Sequence, residues 1–159
     1  MIGRAQIVMT EDIQQFLHAM HDQHPVSDGK QSMRGGTAGH IPFLNQPKPI
    51  QKLMHRLTPA IIGILGHDQW GYTGLWSTRL PKDGWHVKHT HPQGWMSGIC
   101  YIDVPSNISG LLEFDDPALP AIAPCTGNVV VFPSDTVHGV SRYDGDKPRL
   151  TVAFDLLKV

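Results

Sequence analysis

The sequence predicts a mainly β fold, a sandwich or jelly-roll barrel with two or three N-terminal helices packed outside. Three observations lead there. Glycine and proline number 16 and 13 among 159 residues, which favours many turns over a helical bundle. From Trp70 onward, seven or eight short strand-like runs recur between turn residues. Before Trp70, apolar residues fall at helical spacing instead. The length suits one domain with its own core, spanning residues 1–159, with a helical cover over residues 10–66 and a β core over residues 70–157.

The elements follow in order. Ala5, Ile7 and Met9 alternate weakly, as in a short first strand within Ile2–Met9. Thr10 is placed to cap a helix over Glu11–His21, with Glu11 and Asp12 in its first turn, where the helix dipole favours acids. Ile13, Phe16, Leu17 and Met20 form its apolar stripe. Residues 22–48 lack periodicity and read as a loop. Arg34-Gly35-Gly36-Thr37 within it could fold over a site mouth, with Arg34 or His40 toward a substrate. Pro47 suits a helix start, and Ile50, Leu53, Met54, Leu57, Ile61, Ile62 and Leu65 continue at helical spacing to a stop at Gly66. Pro59 interrupts that stripe and predicts a kink or two consecutive helices. Strands are expected over Tyr72–Leu80, Trp85–His91, Met96–Val104, Gly110–Phe114, Asn128–Pro133, His138–Tyr143 and Arg149–Leu157, with Pro117–Pro124 irregular or at an edge.

Composition narrows the function classes. A formal net charge of -1 with no basic patch argues against nucleic acid as a partner. No long apolar run indicates a signal peptide or a membrane span, so a soluble cytoplasmic protein is expected. Cys100 and Cys125 form no Cys-x-x-Cys pair and are expected as small core or near-core residues in a reducing compartment. The jelly roll has edges, and its outer helices offer a surface for a homodimer, although no stretch compels one.

Chemistry concentrates in His89-Thr90-His91-Pro92-Gln93-Gly94-Trp95. Residues i and i+2 of a strand share a face, so His89 and His91 can aim at one point. His138 ends a later strand-like run, and two neighbouring imidazoles with a distant third can make a facial metal site. Ten histidines in the chain also allow such a pair to arise by chance. Neutral imidazoles suit Fe, Zn, Cu or Ni, so ligand type alone does not choose the metal. Trp85 and Trp95 could wall off water. By strand parity His86 faces away from His89. Arg149 follows His138 across one tight turn, which places the two on neighbouring hairpin strands, and Thr151 shares the face of Arg149. An arginine inside a barrel needs an anion, and a dicarboxylate reaching from the metal would supply it. An exposed Arg149 beside Asp144 or Asp146 fits the same spacing.

The chain resembles a family of 2-oxoglutarate/Fe(II)-dependent oxygenases found alone in phages and bacteria or at the end of tetratricopeptide-repeat proteins. The resemblance rests on Trp76-Ser77-Thr78-Arg79-Leu80, Gly84-Trp85-His86, His89-Thr90-His91-Pro92-Gln93-Gly94-Trp95, Gly127 with Val131-Phe132-Pro133-Ser134, His138-Gly139, and Pro148-Arg149-Leu150-Thr151-Val152-Ala153-Phe154-Asp155. The Arg34-Gly35-Gly36-Thr37 loop adds to it, so that it spans residues 33–157. It implies a double-stranded β-helix that binds Fe(II), 2-oxoglutarate, O2 and an unidentified substrate, and hydroxylates a protein side chain or a small molecule. It implies that His89 and His138 match the two histidines of the facial triad, and that His91 stands where the wider superfamily has Asp or Glu. It further implies that Arg149 holds the far carboxylate of 2-oxoglutarate and that Tyr101 and Thr151 add hydroxyls. Arg34, Arg79, Gln93 and Trp95 are candidates for the substrate side. A cupin-like metal protein working without 2-oxoglutarate fits the three histidines but leaves Arg149 and Thr151 without a role. A module that kept the fold and lost the chemistry is the third reading, and the departure at His91 supports it.

Overall fold

Two-residue alternation along one long strand organises the molecule. In the computed structural model, which describes residues 1–23 and 32–159, that strand is β10, Arg149–Lys158. Leu150, Val152, Phe154 and Leu156 point to one face and are fully buried against helices. Arg149, Thr151 and Ala153 point to the other face and line an internal cavity.

The preceding elements are β1 (Gly3–Gln6), α1 (Glu11–Gln23), β2 (Met33–Arg34), β3 (Thr37–His40), α2 (Lys48–Leu65), β4 (Trp70–Leu80), β5 (Trp85–His89), β6 (Met96–Asp103), β7 (Leu112–Phe114), β8 (Asn128–Pro133) and β9 (His138–Val140). One sheet has six strands in the order β1-β8-β6-β10-β4-β3, and the other has four in the order β2-β5-β9-β7. Every pairing is antiparallel. The two sheets face each other as a jelly roll, a double-stranded β-helix, which is the fold the sequence predicts. Part of the loop expected over residues 22–48 lies outside the described residues. The described part splits into β2 and β3, each at an edge of a different sheet, so this segment links the sheets along one side.

Both helices cover the outer face of the six-stranded sheet. Ile13 and Leu17 of α1 and Ile50, Leu53, Leu57 and Ile61 of α2 are buried with the outward side chains of β4, β6, β8 and β10. Each such aliphatic side chain removed from water contributes about 1.5–3 kcal/mol. The Gln14 amide donates to Ile102 O at 2.9 Å and His18 Nε2 meets Asp103 at 2.8 Å, tying α1 to the end of β6. A second apolar cluster, with Leu112, Phe114, Val130 and Phe132, fills the space between the sheets beside the cavity.

Two sequence expectations change, and one is narrowed. Of the two alternatives at Pro59, a kink or two helices, the second is excluded: α2 is one helix, with Leu57 and Ile61 on either side of the proline at zero exposure. It ends where Gly66 takes φ 78°, as the sequence predicts. Strands β9 and β10 are not hairpin neighbours. Arg142 to Pro148 carry the chain from one sheet to the other, so His138 and Arg149 look at each other across the sandwich. Cys100 is buried, and burial pushes its thiol pKa up to about 12, but Cys125 is exposed in the turn before Gly127.

His21 closes the helix–sheet seam. Its two ring nitrogens meet Thr37 Oγ1 at 2.7 Å and Ser77 Oγ at 2.9 Å, and the Ser77 hydroxyl donates to Thr151 O. Burial, followed by Arg79 and then His18, with Asp22 opposing, lowers its pKa to about 4. The folded state therefore holds His21 neutral while the unfolded chain protonates it below about 6.5. Stability is expected to fall as pH drops from 6.5 toward 4. Replacing His21 by Gln should flatten that slope by about 1.4 kcal/mol per pH unit, the value for one proton, as read from urea unfolding at a series of pH values. Leu57→Ala should cost about 2–5 kcal/mol in the same measurement at pH 7.

Candidate metal centre

Strands β5 and β9 pair so that His89 lies directly opposite His138. Their ring centroids are 4.4 Å apart. His91 lies just past β5, its N–H donating to Ser134 O at 2.8 Å, which swings its ring toward the same point. It stands 5.0 Å from His89 and 5.1 Å from His138, centroid to centroid. The three residues present ring nitrogens all within 4.8 Å of one another.

Their tautomers follow from their partners. Nδ1 of His89 is 2.7 Å from Val87 O, and Nδ1 of His138 is 2.8 Å from Thr136 O. A carbonyl only accepts, so each Nδ1 carries the proton and each Nε2 carries the lone pair. Nδ1 of His91 is 3.1 Å from an Asp155 oxygen, with the same consequence. Burial lowers the pKa of His138 to about 4, with the Thr136 carbonyl opposing and His89 and His91 reinforcing, so this imidazole is neutral at physiological pH. Three imidazole nitrogens around one point suit a divalent transition metal.

The imidazoles open onto a cavity of about 440 Å³ between the sheets. Arg149, 2% exposed, is in its lining. One guanidinium nitrogen donates to Gly110 O at 2.5 Å, and the guanidinium carbon lies 5.6 Å from the centre of the Tyr101 ring. Gly110 has φ 65°, and a Cβ there would meet the guanidinium at 2.8 Å, so glycine gives Arg149 its room. Arg149 Nε and Tyr101 Oη are buried without a hydrogen-bond partner among the described residues. Among the described residues no carboxylate pairs with Arg149: Asp144 accepts from Ser109 and Asp146 pairs with Lys82. Burial lowers the pKa of Arg149 and raises that of Tyr101. The guanidinium nonetheless stays cationic. The Thr151 hydroxyl, in the same lining, is 2.6 Å from that of Thr78.

Other expected residues are placed elsewhere. Arg79 has the opposite parity to Thr78 and leaves the cavity for α1, where it pairs with Asp22 at 2.7 Å and donates to His18 O. Trp95 packs on the helix side, stacked on His67 with Lys158 over its ring, and Trp85 is 42% exposed outside. Arg34 and Gln93 are exposed outside the cavity lining, and His40 sits edge-on to Phe43. Trp76, in the cavity lining, stacks on His91 at 5.9 Å. His86 reverses the parity expectation. Three steps along β5, from His86 to His89, match two along β9, from Val140 to His138, and this β-bulge turns His86 into the cavity. Burial, then Arg149, His89 and His138, push its pKa down to about 3, so it too is neutral.

A protein-family comparison matches residues 74–123 and 113–155 to the family described as "Putative 2OG-Fe(II) oxygenase", together just over half of the chain. The chain belongs to this family. It is an oxygenase that depends on Fe(II) and 2-oxoglutarate. Its fold is shared by solved structures of low identity. A Pseudomonas putida prolyl-4-hydroxylase matches with TM-score 0.75 at 15% identity, over 99% of this chain and 92% of that one. The viral collagen prolyl hydroxylase of Paramecium Bursaria Chlorella virus-1, solved with 2-oxoglutarate, matches with TM-score 0.74 at 11% identity over 99% and 96%. HygX from Streptomyces hygroscopicus, solved with nickel and 2-oxoglutarate, matches with TM-score 0.71 at 10% identity over 99% and 83%. A search of curated proteins found no significant match.

Parity on β10 points to Asp155 as well as Arg149 and Thr151, so that residue was accessible to sequence reasoning. The bulge that recruits His86 leaves no glycine or proline to mark it. With His138 as a candidate ligand, His138→Ala is expected to weaken Fe(II) binding by at least about 100-fold, more than the 10–100-fold typical of residues behind a ligand. Anaerobic metal titration followed by tryptophan fluorescence would measure this.

Proposed function

We propose that the oxygenase holds Fe(II) on His89, His91 and His138, binds 2-oxoglutarate with its far carboxylate on Arg149, and hydroxylates a C–H bond of a protein side chain or small molecule. The observation that carries this reading is the buried guanidinium. It shares one cavity with three converging imidazoles and has no carboxylate partner among the described residues. A buried cation left unpaired costs several kcal/mol, and a carboxylate there answers both Arg149 Nε and Tyr101 Oη.

The residues present fit both groups. The three imidazoles are fixed by acceptors behind them. Arg149 would hold the far carboxylate of 2-oxoglutarate, with the hydroxyls of Thr151 and Tyr101 beside it. Bound Fe(II) supplies the oxidising chemistry, coupling decarboxylation of 2-oxoglutarate to insertion of one oxygen atom of O2 into the substrate. Trp76, Ile99, Phe132 and Val140 line the cavity and exclude water from it. His86, kept neutral, contributes a ring N–H or lone pair beside Arg149 without adding a competing charge. The prolyl hydroxylases among the fold relatives support a protein side chain as substrate. HygX, also solved with hygromycin B bound, supports a small molecule.

Anaerobic addition of Fe(II) and then 2-oxoglutarate should produce a weak charge-transfer band near 500 nm, roughly, as chelation by a keto acid requires. Arg149→Ala should weaken 2-oxoglutarate binding by at least about 30-fold, the lower end for breaking a buried charge pair. Unchanged binding in that variant would sink the proposal. Metal binding without any 2-oxoglutarate binding would move the assignment to a cupin-like protein.

A further inference from the structure

We infer that Asp155 acts through His91 as a positioning residue, returning to the metal the negative charge that a carboxylate at position 91 would have supplied directly. The inference rests on the ligand set proposed above and concerns the one position where that set departs from the wider superfamily.

The three imidazoles are not held alike. His89 and His138 each donate Nδ1–H to a backbone carbonyl two residues earlier. His91 donates to a carboxylate instead. Its Nδ1 lies 3.1 Å from one oxygen of Asp155 and 3.3 Å from the other. A carboxylate accepting from a ligating imidazole draws the ring toward imidazolate character, fixes its tautomer and makes it a stronger donor. Both side chains are about one-fifth exposed, so water screens the contact only in part.

The carboxylate is itself held in place. Ser97 Oγ donates to Asp155 Oδ1 at 2.7 Å and lies 2.8 Å from Ser134 Oγ. The backbone carbonyl of Ser134 accepts the N–H of His91. His91, Asp155, Ser97 and Ser134 thus close a ring of contacts that fixes both the ring and the backbone of His91. Trp76 stacks parallel to His91 and limits its rotation. Asp155 has the same parity on β10 as Arg149 and Thr151, so one strand face sets both ends of the site.

A merely structural Asp155 would serve Ser97 and leave the metal indifferent to its charge. Fe(II) affinity of the apo protein, measured anaerobically for wild type, Asp155→Asn, His91→Asp and the double variant, separates the two roles. Asp155→Asn should weaken Fe(II) binding about 10–100-fold in the wild-type background. It should cost less than about threefold when His91→Asp already places a carboxylate on the metal, because the two changes then act on the same charge. In the Asp155→Asn complex with 2-oxoglutarate, the charge-transfer band should move to shorter wavelength, as for a less electron-rich iron. An unchanged affinity and band, or an equal loss in both backgrounds, would overturn the inference. His89→Ala is run in parallel. If it binds Fe(II) like wild type, the proposed ligand set fails; if it loses Fe(II) while Asp155→Asn does not, the role of Asp155 alone fails. Should Asp155→Asn not fold, Ser97→Ala carries the test. It releases the carboxylate without removing it and should weaken Fe(II) binding roughly threefold or more, toward the lower bound for such residues; wild-type affinity there would count against Asp155.

Discussion

The placement of one buried cation governs this structure. Arg149 enters the sandwich because β10 alternates, with Leu150, Val152, Phe154 and Leu156 toward the helices and Arg149, Thr151 and Ala153 toward the cavity. A slip of one residue would drive the guanidinium into the helix interface and Leu150 into the cavity. The register of β10 against β4 and β6 is therefore fixed twice, by apolar burial on one face and by charge on the other. Helices α1 and α2 earn their place by making the first face dry, and Gly110 and Tyr101 make room on the second.

The end of the cavity that carries the three histidines obeys a different constraint. An imidazole is useful as a ligand only if it is neutral and its lone pair faces the right way. Backbone carbonyls of Val87 and Thr136 set two of the three rings, and a carboxylate sets the third.

Much of this was legible in the sequence because it depends on alternation and spacing. The inward faces of Arg149 and Thr151 follow from a period of two, whereas the strand expected to carry both His89 and His91 ends at His89, and His91 reaches the same point from the turn through its backbone bond to Ser134. The failures share a cause: they are events that break the period or that join distant segments. The bulge in β5 shifts His86 by one position without a marker residue. The crossing from β9 to β10 between sheets looks, in the sequence, like any tight hairpin. Trp95 and Arg79 carry the right chemistry but the wrong parity, and only the pairing with β10 reveals that Trp76 and Thr78 are their inward-facing counterparts.

The Gly110–Arg149 contact has a consequence for selectivity. The guanidinium is bonded to a backbone carbonyl and backed by an aromatic ring, so it cannot extend toward a shorter occupant or retreat from a longer one. The three imidazoles at the opposite end are tethered to their own strands and are equally unable to follow. In the proposed reading, the cavity is a fixed-length gauge. It sorts dicarboxylates by the number of carbons between their charges, by geometry rather than by the strength of any single contact.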